Sequence, residues 1–399
     1  MLVVFCPFAA GYYLSYFYRY VNAVIAKDLI ADFGLAPGDL GLLTSAYFLS
    51  FAAAQLPLGV ALDRFGPRRC TAALFCIAGL GALVFALARD LAMLSFGRAL
   101  IGLGVSAGLM GSIKAFTLWF PRERLTALSG WMIGIGSLGT LSATVPVEAL
   151  LGPFGWRALF FGLAVLSVLA AALIFFVVPE RALPGQGEPM REQVRMVGRI
   201  FRRLDFWRLA VPLVICQATF QALQGLWFAP WLADVHGLER ATAANYLFWS
   251  AAAYMAASFA LGPVADFSGK HGVAPLRFYQ AGMLVCSAAF LPIALGVNRG
   301  ALLFLVLFAA TSIAAIIAYT LLTQLVPAAQ TGRVTTASNL LLFGTSFGIQ
   351  WGVGAILGYW PSAQGRYDPE AYRVAFGLLL AAQAAAAAWL LTARLQPRL

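Results

Sequence analysis

Three cations stand inside otherwise apolar runs of this chain: Arg19, Arg98 and Lys114. A charge at the centre of a bilayer costs ~2.5–3.5 kcal/mol on insertion scales, so each must face protein, water or a ligand. Arg19 has the most informative surroundings. Tyr12, Ser15, Arg19 and Asn22 follow helical spacing and share one face, with Tyr16 beside them. A guanidinium offers a planar fork of donors suited to carboxylate or phosphate. The stripe therefore reads as the lining of a small-anion site. The competing reading has Arg19 snorkelling outward or bonding a helix carbonyl.

Lys114, five residues before Trp119, is a second candidate for the same lining, although a lysine at that depth can also stretch to the interface. Arg98 reads as a helix-packing or coupling residue. Later in the chain the candidates are neutral. Gln217, Gln221 and Gln224 recur at i, i+4 and i+7 with Trp227 following, and Asn339, Ser346 and Gln350 form a second group. Tyr319 and Thr323 lie one turn apart. Such groups most often bond neighbouring helices, but three amides in register also suit a ligand.

What is missing narrows the chemistry. None of the 16 Asp and Glu falls at the centre of an apolar run; Glu148 and Asp234 lie near run ends. His236 and His271 are far apart in loops, and the five cysteines (Cys6, Cys70, Cys76, Cys216, Cys286) show no CxxC pairing. Metal, disulfide and cofactor sites are not expected. No cluster of nucleophile, base and oxyanion donors is present, so an enzyme is not expected either.

The elements that must position these residues follow from composition. Hydrophobic residues make up 61% of the 399 and charged ones 11%, against about 25% charged in soluble domains. Mean hydropathy is +0.83. Only lipid can cover such a surface. The apolar runs have the ~20-residue length that crosses a bilayer, at roughly 4–26, 40–62, 70–89, 93–119, 126–148, 157–178, 208–232, 242–265, 274–296, 301–326, 335–359 and 371–393. An all-α membrane protein of twelve spans is the expectation. The net charge of +11 is a topology signal: with the N-terminus inside, seventeen Lys and Arg fall on inner segments and seven on outer ones. Both termini are therefore expected in the cytoplasm of a bacterial inner-membrane protein, with no nucleic-acid partner. Met1–Ala26 lacks a basic n-region and a small-residue cleavage site, so it reads as a span and not a signal peptide.

Six spans lie on each side of a polar stretch. The division is 1–178, a linker at 179–207, and 208–399. The linker carries Pro184, Gly185, Gly187 and Pro189, then a basic amphipathic run from Met190 to Leu204, suited to anionic headgroups or to a plain tether. The halves repeat. After the second span comes Gly59-Val-Ala-Leu-Asp63-Arg64-Phe-Gly66-Pro67-Arg68-Arg69, and after the eighth Gly262-Pro-Val-Ala-Asp266-Phe-Ser-Gly269-Lys270. Two-fold repetition of a six-span unit places a binding site near the bilayer midplane.

The first loop closely resembles the G-x-L-A-D-R-x-G-R-R signature of the major facilitator superfamily. Gly97-Arg98-Ala-Leu-Ile-Gly102-Leu-Gly104 resembles its R-x-x-x-G-x-G element, and Gly155-Trp156-Arg157-Ala-Leu-Phe160 its G-W-R-x-x-F start to the sixth span. The resemblance implies two pseudo-symmetric six-helix bundles that rock about a central cavity, working as a monomer on a small-molecule substrate within the lipid bilayer. It also implies a gating role for Gly59, Asp63, Arg64, Gly66, Arg68, Arg69 and Asp266, through contacts that bias one of two states. The Tyr-rich first span with Arg19 is similar to that of the organophosphate:phosphate antiporters, where an arginine grips the anion. Those proteins usually carry a second arginine at the seventh span, which here holds glutamines.

The sequence thus points to a carrier for a small organic anion or an amino-acid-like solute, the seventh span speaking for one negative charge over two. An inorganic-anion carrier of the nitrate type lacks the arginines expected in the second and eighth spans. A non-transporting receptor on the same fold would not need an intact loop from Asp63 to Arg69. Without a carboxylate at mid-span, proton-coupled export of cationic drugs is disfavoured.

Overall fold

A bilayer leaves a backbone no partner but itself, so an apolar chain of this kind must close its hydrogen bonds within helices. The computed structural model describes residues 2–181, 190–297, 299–327, 331–361 and 366–393. They form sixteen α-helices. The first seven are α1 (Leu2–Tyr20), α2 (Asn22–Phe33), α3 (Pro37–Ala86), α4 (Leu91–Val105), α5 (Ala107–Trp119), α6 (Arg122–Ser142) and α7 (Val145–Ala172). Then come α8 (Met190–Phe201), α9 (Leu204–Ala222), α10 (Phe228–His236), α11 (Arg240–Lys270), α12 (Pro275–Ala294), α13 (Ala301–Ser312), α14 (Ile317–Gln324), α15 (Thr331–Leu357) and α16 (Pro369–Leu391). Single π-helical turns extend α7 and join α9 to α10, and a 3₁₀ turn joins α13 to α14.

Among the described residues, nine helices are long and apolar enough to cross a membrane. One of them, α3, runs for 50 residues, about 75 Å if straight, and the hydrocarbon layer is ~30 Å thick. It is two spans with a corner at Gly66, where φ is +80°. A β-carbon is disfavoured in that region, and Pro67 restarts the helix where its missing N–H does no harm. The first span (α1 and the start of α2) and the fifth (α6) complete twelve; their tyrosines, serines and glycines lower their hydropathy.

One boundary differs from the expected pattern. The fifth span was expected to run to residue 148, but α6 ends at Ser142 and α7 begins at Val145. Thr144 leaves helical geometry (φ −110°, ψ −106°) and Pro146 follows, which removes a helix donor there. A second corner follows at Gly155, φ +72°, and the sixth span starts beyond it.

The chain divides into two compact units, Met1–Gln193 and Val194–Leu399. In the first, α3 and α4 share the most extensive helix contact. Its cause is in the sequence: a β-carbon on Gly102 would collide with the Tyr47 carbonyl, and one on Gly104 with the Ala78 backbone. Small residues let membrane helices approach this closely. The second unit's α15 carries Gly344, Gly348 and Gly352, whose β-carbons would meet open space.

α8 covers most of the expected basic amphipathic run. Val197 and Ile200 are buried, whereas Arg191, Arg195 and Arg199 are exposed. Pro184, Gly185, Gly187 and Pro189 lie outside the described residues.

Candidate functional site

In the first unit, the last turn of α1 carries Arg19, only 6% exposed. Its guanidinium lies 4.6 Å from the ring centre of Tyr16 and 5.5 Å from that of Phe51 on α3. A cation held over aromatic faces gains from the ring quadrupole, up to ~2 kcal/mol where water is excluded. Tyr12 donates to the Tyr16 hydroxyl at 3.2 Å, and the two rings pack edge-on at 4.9 Å. Gly136 of α6 leaves the room these rings occupy.

Other members of the expected stripe serve helix contacts. Ser15 donates to the Val105 carbonyl at 3.4 Å, and Asn22 donates to the Thr44 hydroxyl at 3.2 Å. Sequence reasoning missed Tyr47 and Phe51. Tyr47 donates to the Ser15 carbonyl at 3.1 Å. The signal was present as Thr44, Tyr47, Phe51 and Gln55 at helical spacing on the second span. Arg98, wholly buried on α4, lies 5.0 Å from the Tyr47 ring centre. Its Nε and Nη1 have no hydrogen-bond partner, so its contact with α3 is made through the ring.

Lys114, the second candidate for the anion lining, places Nζ 2.6 Å from Asp63 Oδ1. Arg69 pairs with Glu180 at 2.6 Å and Arg68 at 3.7 Å; Arg68 also donates Nε to the Phe175 carbonyl at 2.7 Å. Arg181 donates to the Leu118 carbonyl, and Arg64 packs over Phe65. These partners all belong to the first unit. Gly59 lies one turn before Asp63, and Gly66 is the corner that brings Arg68 and Arg69 back toward Glu180. The counterpart Asp266, on α11, is exposed.

At the other end of this unit, Asp32 accepts from Trp156 Nε1 at 2.9 Å and from Arg157 at 2.5 Å. The indole and guanidinium bonds hold its carboxyl below the usual range, against a smaller opposing effect of burial.

In the second unit the expected amide row is divided by use. Gln217 donates to the Ser312 carbonyl at 2.8 Å and accepts from Tyr254 at 3.2 Å. Gln224, inside the π turn, donates to the Leu247 carbonyl and accepts from Ser250, both at 3.0 Å. These two stitch α9 to its neighbours. Gln221 Oε1, and Nε2 and Oε1 of Gln350, are buried without a partner. An unpartnered buried amide group costs ~1–3 kcal/mol, so those atoms are open to a ligand or ordered water. Tyr319 donates to Asn339 Oδ1 at 2.7 Å. Tyr254, absent from the sequence reading, stacks on Phe220 at 4.7 Å. Among the described residues, the buried polar side chains of this unit are all amides and hydroxyls, and no Asp or Glu is buried in either unit.

A family model for the Major Facilitator Superfamily matches residues 8–349. The chain is 25% identical over 282 residues to a probable nitrate/nitrite antiporter, NarK1, of Thermus thermophilus, covering 67% of this chain and 61% of that one. It is 29% identical over 158 residues to a probable sulfoacetate transporter, SauU, of Cupriavidus necator, covering 39% and 36%. The match thus spans less than two thirds of the length of either relative. Among solved structures, an inward-facing bacterial homolog of the human lysosomal transporter Spinster superposes with a TM-score of 0.75 at 19% identity, over 97% of this chain and 95% of that one.

Proposed function

We propose that this chain, which belongs to the major facilitator superfamily, is a secondary carrier for a small organic monoanion or an amino-acid-like solute. The observation that carries the reading is Arg19: a buried guanidinium at the end of α1, bounded by Tyr16 and Phe51. A bound carboxylate or sulfonate would neutralise it and accept its forked donors, a charge-assisted bond about twice as strong as a neutral one.

One guanidinium at this position favours a cargo with one negative charge over two. A dianion would bring one uncompensated charge into a low-dielectric interior, a cost of several kcal/mol. A monoanion leaves none, and a zwitterion leaves only its own ammonium for neutral groups to solvate. Exposure of the bound solute to one side of the membrane at a time follows from the family. Two relatives with anions in their names, nitrate/nitrite and sulfoacetate, support an anionic cargo. The nitrate reading stands second, because the second and eighth spans hold no arginine to clamp a planar oxyanion. Location in a bacterial inner membrane with both termini inside, and action as a monomer, belong to the same proposal.

The test is uptake by proteoliposomes, after a thermal-shift screen of carboxylates, sulfonates, amino acids, nitrate and phosphate. A monocarboxylate or monosulfonate that stabilises the protein, and does so far less in Arg19→Ala, is the expected result. Wild-type affinity in both Arg19→Ala and Arg19→Lys would end the anion reading.

A further inference from the structure

Sequence spacing discounts the cysteines, yet the fold brings two of them together inside the second unit. Cys216 of α9 and Cys286 of α12 place their Sγ atoms 3.3 Å apart, 70 residues distant in the chain. They are 2% and 1% exposed, and both are free thiols. A buried cysteine often acts as a small hydrophobe, so the pair alone would signify only packing. The surroundings say more. Met283, one turn before Cys286, lines the same cavity, and so does Gln383 of α16. Gln383 is 4% exposed, and neither its Nε2 nor its Oε1 has a hydrogen-bond partner. A buried amide left open at both ends beside three sulfurs is a polar group awaiting a ligand.

We propose that Cys216, Cys286 and Met283, with Gln383 at their side, form a site for one thiophilic cation of the Cu(I) class. Thiolate and thioether donors together select Cu(I) over harder ions. Structural zinc calls for four nitrogen or sulfur ligands, and among the described residues no group of three or more His, Cys, Asp or Glu is assembled. The cavity offers about 10 Å³ of room, enough for one small atom and little else. Metal–sulfur bonds of ~2.3 Å at angles of ~110–120° put the sulfurs ~3.8–4.0 Å apart, within a small rotation of their present separation. On binding, Cu⁺ displaces a proton from each thiol and bonds both sulfurs, and Met283 adds a neutral third donor. The complex carries one negative charge and two protons leave. The two N–H donors of Gln383 answer that charge by hydrogen bonding to the metal-bound sulfurs. Occupancy would tie α9 to α12 immediately beside Gln217, without depending on what the carrier transports.

The experiment uses the full chain in nanodiscs, reduced and oxygen-free, with Cys6, Cys70 and Cys76 replaced by Ala so that only the buried pair remains. Cu(I) buffered by bathocuproine disulfonate is the probe. The expected result is one copper per chain with only sulfur neighbours in its X-ray absorption spectrum. Adding Cys216→Ala or Cys286→Ala should weaken binding at least ~100-fold, and Gln383→Leu ~10–100-fold. Copper content unchanged by loss of the pair would overturn the site. So would a monodisperse protein that retains no copper, or a Gln383→Leu variant that is more stable and binds copper as before, since Gln383 then holds only a water. Copper binding is read without any uptake measurement, so its failure leaves the Arg19 reading untouched, and the reverse also holds.

Discussion

The two units are repeats in sequence but not in chemistry. The first holds its helices together with close glycine contacts at Gly102 and Gly104 and keeps two arginines, Arg19 and Arg98, against aromatic rings. The second has buried amides where the first has buried cations, and its α15 glycines touch nothing. The loops differ in the same sense: Asp63 is paired with Lys114, and Asp266 is exposed. Duplication preserves the backbone plan more faithfully than the side-chain work. A charge needs rings, partners and tight helix contacts to be kept in an apolar interior; an amide needs only one or two hydrogen bonds, so the second unit can be looser.

The largest expected effect tests the packing half of that contrast. Gly104→Leu should fail to give monodisperse protein on size exclusion, because the clash is with backbone and overpacking costs upwards of ~1–3 kcal/mol. Gly348→Ala on α15 should be neutral or raise the melting temperature, since helix propensity favours Ala by ~1 kcal/mol. Equal damage from both would erase the distinction. Next comes the charge. Arg19→Ala should weaken binding of the best solute by about 10–150-fold, the value of a hydrogen bond to a charged group, against about 2–10-fold for Gln221→Leu or Gln350→Leu. Calorimetry on the purified variants decides the order, and a reversed ranking would put the anchor in the second unit. Third, Asp63→Asn should express normally yet slow uptake several-fold, whereas Asp266→Asn should not. Uptake rates that fall equally would mean the exposed carboxylate acts in a state other than this one.

The smallest effect concerns pH. Asp32 has a lowered pKa in the folded protein, so its contribution is present above the ordinary carboxylate pKa of ~3.9 and is lost as pH falls through the depressed value. The Arg157 pair is well exposed and screened by solvent, so no more than about 1 kcal/mol is at stake. Thermal melts from pH 6 to 3 should show Asp32→Asn converging on the parent at the acid end.

The spans were legible because bilayer thickness imposes a length that hydropathy reads directly. The corner at Gly66 was signalled by Gly-Pro, and the break before Val145 by Pro146, although the expected span ran past it. Partnership between distant residues was not legible. Asp63 and Lys114 are 51 positions apart, and either could as well have faced a headgroup. Glutamines at regular helical spacing gave no hint that Gln217 and Gln224 are consumed by Ser312 and Leu247 while Gln221 is spared, because the π turn shifts the register. Tyr47 and Phe51 were overlooked because rings at helical spacing on a membrane span look like ordinary core.

Between Pro37 and Ala86 only Gly66 departs from helical geometry. The second and third spans thus share a corner with no slack. One residue inserted there would swing everything downstream by about 100° around the helix axis, turning Gly102 away from the Tyr47 carbonyl it packs against. Length variation among relatives should therefore be absent at this corner and gather at roomier bends.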